Sequence, residues 1–208
     1  MRAVFSKTLR IRTLGLNAAR RPGGYVVACS HVGYLDPFCL GAVLPRKIGW
    51  MARMEFYHRR WSSWLLSAVH AFPVNRQGVP LRAIRTALAR LAQGEVVGVF
   101  PEGEIKTGSG SVLRGAPIKR GVCLLAAHSG CPVLPCVILG ADKLNALGPW
   151  MPFLRGRLWI ACGPLIEPVR GLSRKAARAE MAAQIERALR ALYAELRREC
   201  GLDDSIVP

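Results

Sequence analysis

Four short segments of the 208-residue chain carry side chains that can do chemistry. In residues 30–37 (SHVGYLDP), His31 stands five positions before Asp36. A carboxylate that accepts from one imidazole nitrogen fixes the tautomer and leaves the other nitrogen to take a proton, which is the arrangement of a general base. The same pair admits a plainer use, with Asp36 as a helix cap and His31 as a satisfied polar group. Residues 100–103 (FPEG) display Glu102 on a turn shaped by Pro101 and Gly103; a turn accounts for the Pro and Gly but not for the carboxylate. Residues 72–76 (FPVNR) end in Arg76, whose planar guanidinium can hold a phosphate through two hydrogen bonds. Residues 118–121 (IKRG) contribute Lys119.

These side chains need elements to bring them together. Six apolar runs read as strands: 25–30 (YVVACS), 47–53 (KIGWMAR), 72–75 (FPVN), 96–100 (VVGVF), 132–140 (PVLPCVILG) and 158–163 (LWIACG). Their hydrophobicity is continuous rather than alternating, as in strands buried on both faces by helices. Helices fall between them. Asp36-Pro37 signals a helix start, with Asp at the cap and Pro at the first helical position. Leu81, Ile84, Leu88 and Leu91 recur at helical spacing until Gly94. Residues 121–129 (GVCLLAAHS) form a small apolar helix. Ser173 opens the longest helix, with Met181, Ile185, Leu189, Leu192 and Leu196 on one stripe. The order β-α-β-α-β-α-β-α-β-β-α predicts an α/β fold: a single domain, mainly one mixed or parallel sheet flanked by helices. His31 and Glu102 then lie at strand C-terminal ends, where ligands and catalytic groups gather in such sheets.

Apolar residues make up 51% of the chain, enough to build a core and to exclude wholesale disorder. Lys and Arg number 30, of which 24 are Arg, against 13 acidic residues, for a net charge of +17. Such a chain attracts an anionic partner: nucleic acid, acidic lipid, a phosphorylated substrate or an acidic protein. Nucleic acid is disfavoured, because there are no RNP aromatics, no zinc spacing and no Lys/Arg run longer than two. The seven cysteines contain no C-x-x-C pair and read as reduced, buried thiols. Cys29 sits within a strand and is not read as a nucleophile. His58, His70 and His128 lack a carboxylate at motif spacing and read as structural or exposed. No apolar run approaches the roughly 20 residues of a membrane-spanning helix. Arg2, Lys7, Arg10 and Arg12 interrupt any signal-peptide core.

Taken in order, H-x4-D, F-x-x-x-R, FPEG, IKRG and CPVLP (131–135) form one series. It resembles the glycerophospholipid acyltransferase family, which includes the 1-acylglycerol-3-phosphate acyltransferases, from about Tyr25 to Gly140. The resemblance implies that His31 deprotonates an acceptor hydroxyl and that Asp36 orients it. It assigns Arg76 to the acceptor's phosphate, Glu102 and Gly103 to the acceptor-binding block, and Lys119 to a basic position after that block. Pro132 and Pro135 match a structural block. The implied reaction moves an acyl group from a thioester, acyl-CoA or acyl-carrier protein as cosubstrate, to a lysophospholipid hydroxyl. It needs no cofactor, metal or covalent enzyme intermediate. Phosphatidic acid is the implied product.

Two departures from the family pattern bear on this. Ser30 replaces the usual Asn before His31, and Gly33 the inner Ser. FPEG continues as Glu104-Ile105-Lys106-Thr107 where the family reads T-R-S, so the usual Arg is absent at Ile105. Lys106 is the substitute cation, with Arg114 a second candidate, and Glu104 adds negative charge where a phosphate is expected. This keeps open a second reading, a family acyltransferase with a non-phosphomonoester acceptor. A basic, non-catalytic lipid- or nucleic-acid-binding protein is a third; the intact His31/Asp36 pair argues against it.

A lipid substrate requires a membrane partner, and the chain is expected to bind peripherally on the cytoplasmic side. Residues 1–24 form a basic N-terminal segment, in which Val4, Phe5, Leu9, Ile11, Leu14 and Leu16 suggest an interfacial helix. Residues 25–200 form the acyltransferase domain and 201–208 a tail. Residues 46–64, with Lys47, Trp50, Arg53, Phe56, Tyr57, Arg59, Arg60, Trp61 and Trp64, offer a second membrane-facing stretch.

Overall fold

Strands without a polar face must stack edge to edge between two helical layers. The computed structural model, which describes residues 9–58, 63–64, 66–67, 70–74, 80–142 and 156–203, shows this arrangement. Among these residues, β1 (Leu9–Leu14), β2 (Tyr25–Cys29), β3 (Ile48–Arg53), β4 (Phe72–Val74), β5 (Val96–Val99), β6 (Val133–Leu139) and β7 (Gly156–Cys162) form one sheet in the order β1-β7-β6-β2-β5-β3-β4. Strands β2 to β6 run parallel, β7 runs antiparallel to β6, and β1 lies parallel to β7. This is the single mixed α/β sheet that the sequence predicts.

Alternation along β2 builds two cores. Val26 and Ala28 face the layer of α2 (Leu81–Ala92), α3 (Gly121–Ser129) and α4 (Arg174–Cys200). Tyr25, Val27 and Cys29 face the layer that holds α1 (Asp36–Val43). The α4 stripe Met181, Ile185, Leu189, Leu192 and Leu196 is buried as its spacing requires, and the Ser173 hydroxyl caps the helix by accepting from the Ala176 N–H. Burying such side chains contributes about 1.5–3 kcal/mol each.

Four sequence expectations change. Residues 9–14 form edge strand β1, paired from Leu9↔Gly156 to Leu14↔Ala161, and not an interfacial helix. Its mixed Arg and apolar pattern is that of a half-covered, charged edge. In α2 the buried face is Ala83, Ala87 and Leu91, while Leu81 is exposed; small residues let the helix approach closely, and Ile84 and Leu88 flank the contact. Trp50 is buried in β3, and the Arg46 guanidinium donates to the carbonyls of Arg21, Gly23 and Gly94. Both therefore serve the fold instead of a membrane surface, although Trp64 is exposed. Arg59, Arg60 and Trp61 lie outside the described residues. Finally, α1 begins at Asp36 itself, so Asp36 occupies the first turn and not the cap.

All seven cysteines are free thiols. Cys29, Cys136 and Cys162 are neighbours across β2, β6 and β7, with Cys136 and Cys162 Sγ atoms 3.4 Å apart. Burial pushes the thiols of Cys39 and Cys123 up to about 12 and about 11, and those of Cys29 and Cys136 well up. Thiolate is the reacting form. A disulfide reagent at pH 8 is therefore expected to titrate only Cys131 and Cys200, the two that are not fully buried, and all seven after denaturation. Rapid native reaction of a third thiol would contradict this packing.

Candidate active site

β2 and β5 are neighbours and parallel, so the chain leaves both at the same edge. Residue 31 follows β2 there, and the FPEG turn follows β5. His31 stacks on Phe100 at 4.0 Å between centroids and 16° between planes, and Phe100 stacks on Trp50 at 4.7 Å and 11°. Gly98 makes room for this wall: a Cβ there would lie 2.4 Å from the Trp50 ring.

The turn between β2 and α1 brings the two candidate catalytic residues together. His31 Nδ1 lies 2.8 Å from Asp36 Oδ2, which also accepts the N–H groups of Val32 at 2.8 Å and Gly33 at 2.9 Å. A carboxylate accepts, so Nδ1 donates to Asp36 and Nε2 is the nitrogen left for another partner. Asp36 is fully buried while His31 is 17% exposed, so the pair reaches solvent through the imidazole. Burial pushes the Asp36 carboxyl above its ordinary value, against the pull of His31 and the two backbone N–H groups. Position in the first turn of α1 also favours the charged form. A carboxyl raised in the folded state makes stability fall as pH rises between its unfolded and folded values, so the charged pair is held at a cost to stability. Ser30 and Gly33, the unusual residues of the His31 segment, both serve this geometry. Ser30 Oγ accepts from the Ile138 N–H at 3.2 Å, tying the end of β2 to β6, and Gly33 contributes its N–H to Asp36.

Glu102 is held within the protein. It is only 4% exposed, and both oxygens are engaged within the protein. Oε2 accepts the His31 backbone N–H at 2.6 Å; Oε1 accepts the Ser111 hydroxyl at 3.0 Å and the Val112 N–H at 2.9 Å. Burial raises its carboxyl, and these donors lower it. Glu102 thus joins the β2 exit to the loop after β5.

Gly103 and Lys119 meet as neighbours. Gly103 adopts φ 77°, a left-handed conformation that disfavours side chains, and a Cβ there would lie 2.7 Å from Lys119 Nζ. The Lys119 N–H donates to the Pro101 carbonyl at 2.8 Å, and the adjacent Ile118 N–H donates to Glu186 of α4 at 3.0 Å. Lys106 is tied to the catalytic turn, its N–H donating to the His31 carbonyl at 3.2 Å, while its ammonium pairs with Glu104 Oε1 at 3.0 Å. Arg53, at the end of β3, approaches Glu104 Oε2 at 3.7 Å. Arg76 lies outside the described residues. Ser111, Glu186 and Arg53 are neighbours of these groups that sequence reasoning missed; Glu186 and Arg53 reach them from distant parts of the chain, and Ser111 through the fold of the loop after β5. Among the described residues no cluster of three or more His, Cys, Asp or Glu side chains could hold a metal ion.

The fold thus sets a His–carboxylate pair at the C-terminal edge of the parallel strands β2 and β5, the edge where ligands gather in α/β sheets. The chain belongs to the acyltransferase family, whose family model matches residues 10–139. It is 32% identical over 141 residues to the 1-acyl-sn-glycerol-3-phosphate acyltransferase of Bacillus subtilis (strain 168), covering 67% of this chain and 65% of that protein. The match thus spans just under two thirds of the relative's length. The fold resembles the crystal structure of the 1-acyl-sn-glycerophosphate (LPA) acyltransferase PlsC from Thermotoga maritima, with a TM-score of 0.70 and 22% identity over 91% of this chain and 72% of that one.

Proposed function

We propose that the protein transfers a fatty acyl group from a thioester, acyl-CoA or acyl-carrier protein, to the free hydroxyl of a lysophospholipid, with 1-acylglycerol 3-phosphate as the leading acceptor. The observation that carries this reading is the His31 Nδ1–Asp36 contact of 2.8 Å, with Asp36 fully buried. Family membership and the activity of the Bacillus subtilis relative support it.

In this reading Nε2 of His31 takes the proton of the acceptor hydroxyl as its oxygen attacks the thioester carbonyl. The tetrahedral intermediate collapses, the C–S bond breaks, and the imidazolium returns the proton to the leaving sulfur. An ester and a free thiol result, and His31 is neutral again. The thioester is already activated, so the protein supplies a base, charge stabilisation and alignment. Asp36 stabilises the imidazolium and holds its orientation. Lys106, Lys119 and Arg76 are the cations proposed for the acceptor's headgroup.

The lipid product implies peripheral membrane contact. Supporting this are the net charge of +17 and the exposed Tyr34, Met54, Trp64 and Leu81, all in segments that follow the C-terminal ends of parallel strands, as His31 does. No described helix is long and apolar enough to cross a membrane. An acceptor screen tests the function: thiol release from acyl-CoA and from acyl-carrier protein, with 1-acylglycerol 3-phosphate, lysophospholipids lacking a terminal phosphate, and monoacylglycerol. Acceptor-dependent release with a lysophospholipid is expected; release with none of them would overturn the reading.

A further inference from the structure

Beside His31, three cations from separate parts of the chain converge on a single carboxylate. Glu104 pairs with Lys106 through Oε1 at 3.0 Å and with Arg53 through Oε2 at 3.7 Å. Lys119, packed over Gly103, lies close enough to act on the same carboxylate, and together these cations hold Glu104 below its usual value. Arg53 comes from the end of β3, Lys106 from the loop after β5, and Lys119 from the segment before α3. Lys106 and Arg53 are each a little over 40% exposed, so a soluble ligand can reach them. The cluster is fixed to the catalytic turn by the Lys106 N–H to His31 carbonyl bond.

Three cations gathered beside a base form an anion site, and a phosphate would bind them more strongly than a single carboxylate does. Glu104 already occupies that position. An incoming phosphomonoester must either displace the carboxylate or lie against it, and both weaken its binding. An acceptor without a terminal phosphate has no such competition.

We infer that Glu104 is a specificity-determining residue: its carboxylate is a built-in counter-ion for Arg53, Lys106 and Lys119, which lowers affinity for phosphomonoester acceptors relative to acceptors without a terminal phosphate. The inference rests on the acyl-transfer reading for its substrate class, while the anion competition itself does not depend on turnover.

The test uses Glu104→Gln and Glu104→Thr in two arms. In the kinetic arm, each variant is expected to lower KM for 1-acylglycerol 3-phosphate about fivefold at low salt, the scale of one favourable exposed ion pair. The change in kcat should be smaller, KM for monoacylglycerol should hold, and the gain should vanish at high salt. In the binding arm, inorganic phosphate is titrated without acyl donor. Tighter binding by about the same factor is expected, and adding Lys106→Gln should remove the gain. If no acceptor supports turnover but phosphate binds more tightly to the variants, the acyl-transfer reading falls and the counter-ion role stands. If both variants leave phosphate affinity and KM unchanged, or weaken them, the role of Glu104 is overturned.

Discussion

Replacing His31 with alanine is expected to lower kcat by about 10²–10⁴-fold, the usual contribution of a positioned general base. The fold should survive. The imidazole is partly exposed, and its main side-chain contacts are the Phe100 stack and the Asp36 hydrogen bond. Losing the stack costs about 0.5–1.5 kcal/mol and losing the hydrogen bond to the buried carboxylate about 1.5–3 kcal/mol, so Tm should fall by about 5–15 °C while the protein stays folded. Asp36 separates charge from packing. Asp36→Asn keeps an oxygen able to accept the Val32 and Gly33 N–H groups but removes the charge that stabilises imidazolium. Its activity should fall by about 10²-fold or more, and its amide NH2 group, placed where Asp36 Oδ1 has no hydrogen-bond partner, should cost about 1–3 kcal/mol. Asp36→Ala instead leaves two buried N–H groups unpaired, each costing about 1–3 kcal/mol, so it should lose stability as well. Paired measurements of kcat and Tm check both; an Asp36→Asn protein with full activity would remove the carboxylate from the mechanism.

The second large effect is expected at Glu102. Glu102→Ala removes three hydrogen bonds from a buried carboxylate and strands the N–H groups of His31 and Val112. A loss of about 3–5 kcal/mol follows, large for one substitution. Glu102→Gln should cost less, since one oxygen still accepts while the new amide faces an N–H donor. If Glu102 positions His31, the Gln variant lowers kcat and leaves the acceptor KM near wild type. A raised KM with unchanged kcat would instead support the acceptor-binding role that its place in the FPEG block suggests. Chemical denaturation and steady-state kinetics together decide between these outcomes.

The contrast between His31 and Glu102 shows how far sequence reading reaches here. His31 and Asp36 share one turn, so their spacing predicts their meeting. The partners of Glu102 lie 71 residues earlier at His31 and 9 and 10 residues later at Ser111 and Val112, and only the pairing of β2 with β5 brings them together. The residue type is visible in FPEG; its inward orientation is not. The β2, β5 and β6 runs are legible because strands buried on both faces have no polar positions to confuse the reading. β1 is not, because a charged edge strand and an amphipathic helix share a composition, and only pairing with β7 decides between them. Trp50 and Arg46 look like interfacial residues by type, yet one is taken by the aromatic wall and the other by three backbone carbonyls. The departure after FPEG was visible as Glu104 and Ile105, whereas the convergence of Arg53 on Glu104 required the adjacent positions of β3 and β5.

The most direct measurement is acyl transfer itself. Purified protein is mixed with acyl-CoA and 1-acylglycerol 3-phosphate, free thiol and diacyl product are quantified together, and His31→Ala is run beside the wild type. The account predicts equimolar thiol and phosphatidic acid from the wild type, and loss of both in a His31→Ala protein that remains folded at the assay temperature. Product formation by His31→Ala at a rate close to wild type would contradict it.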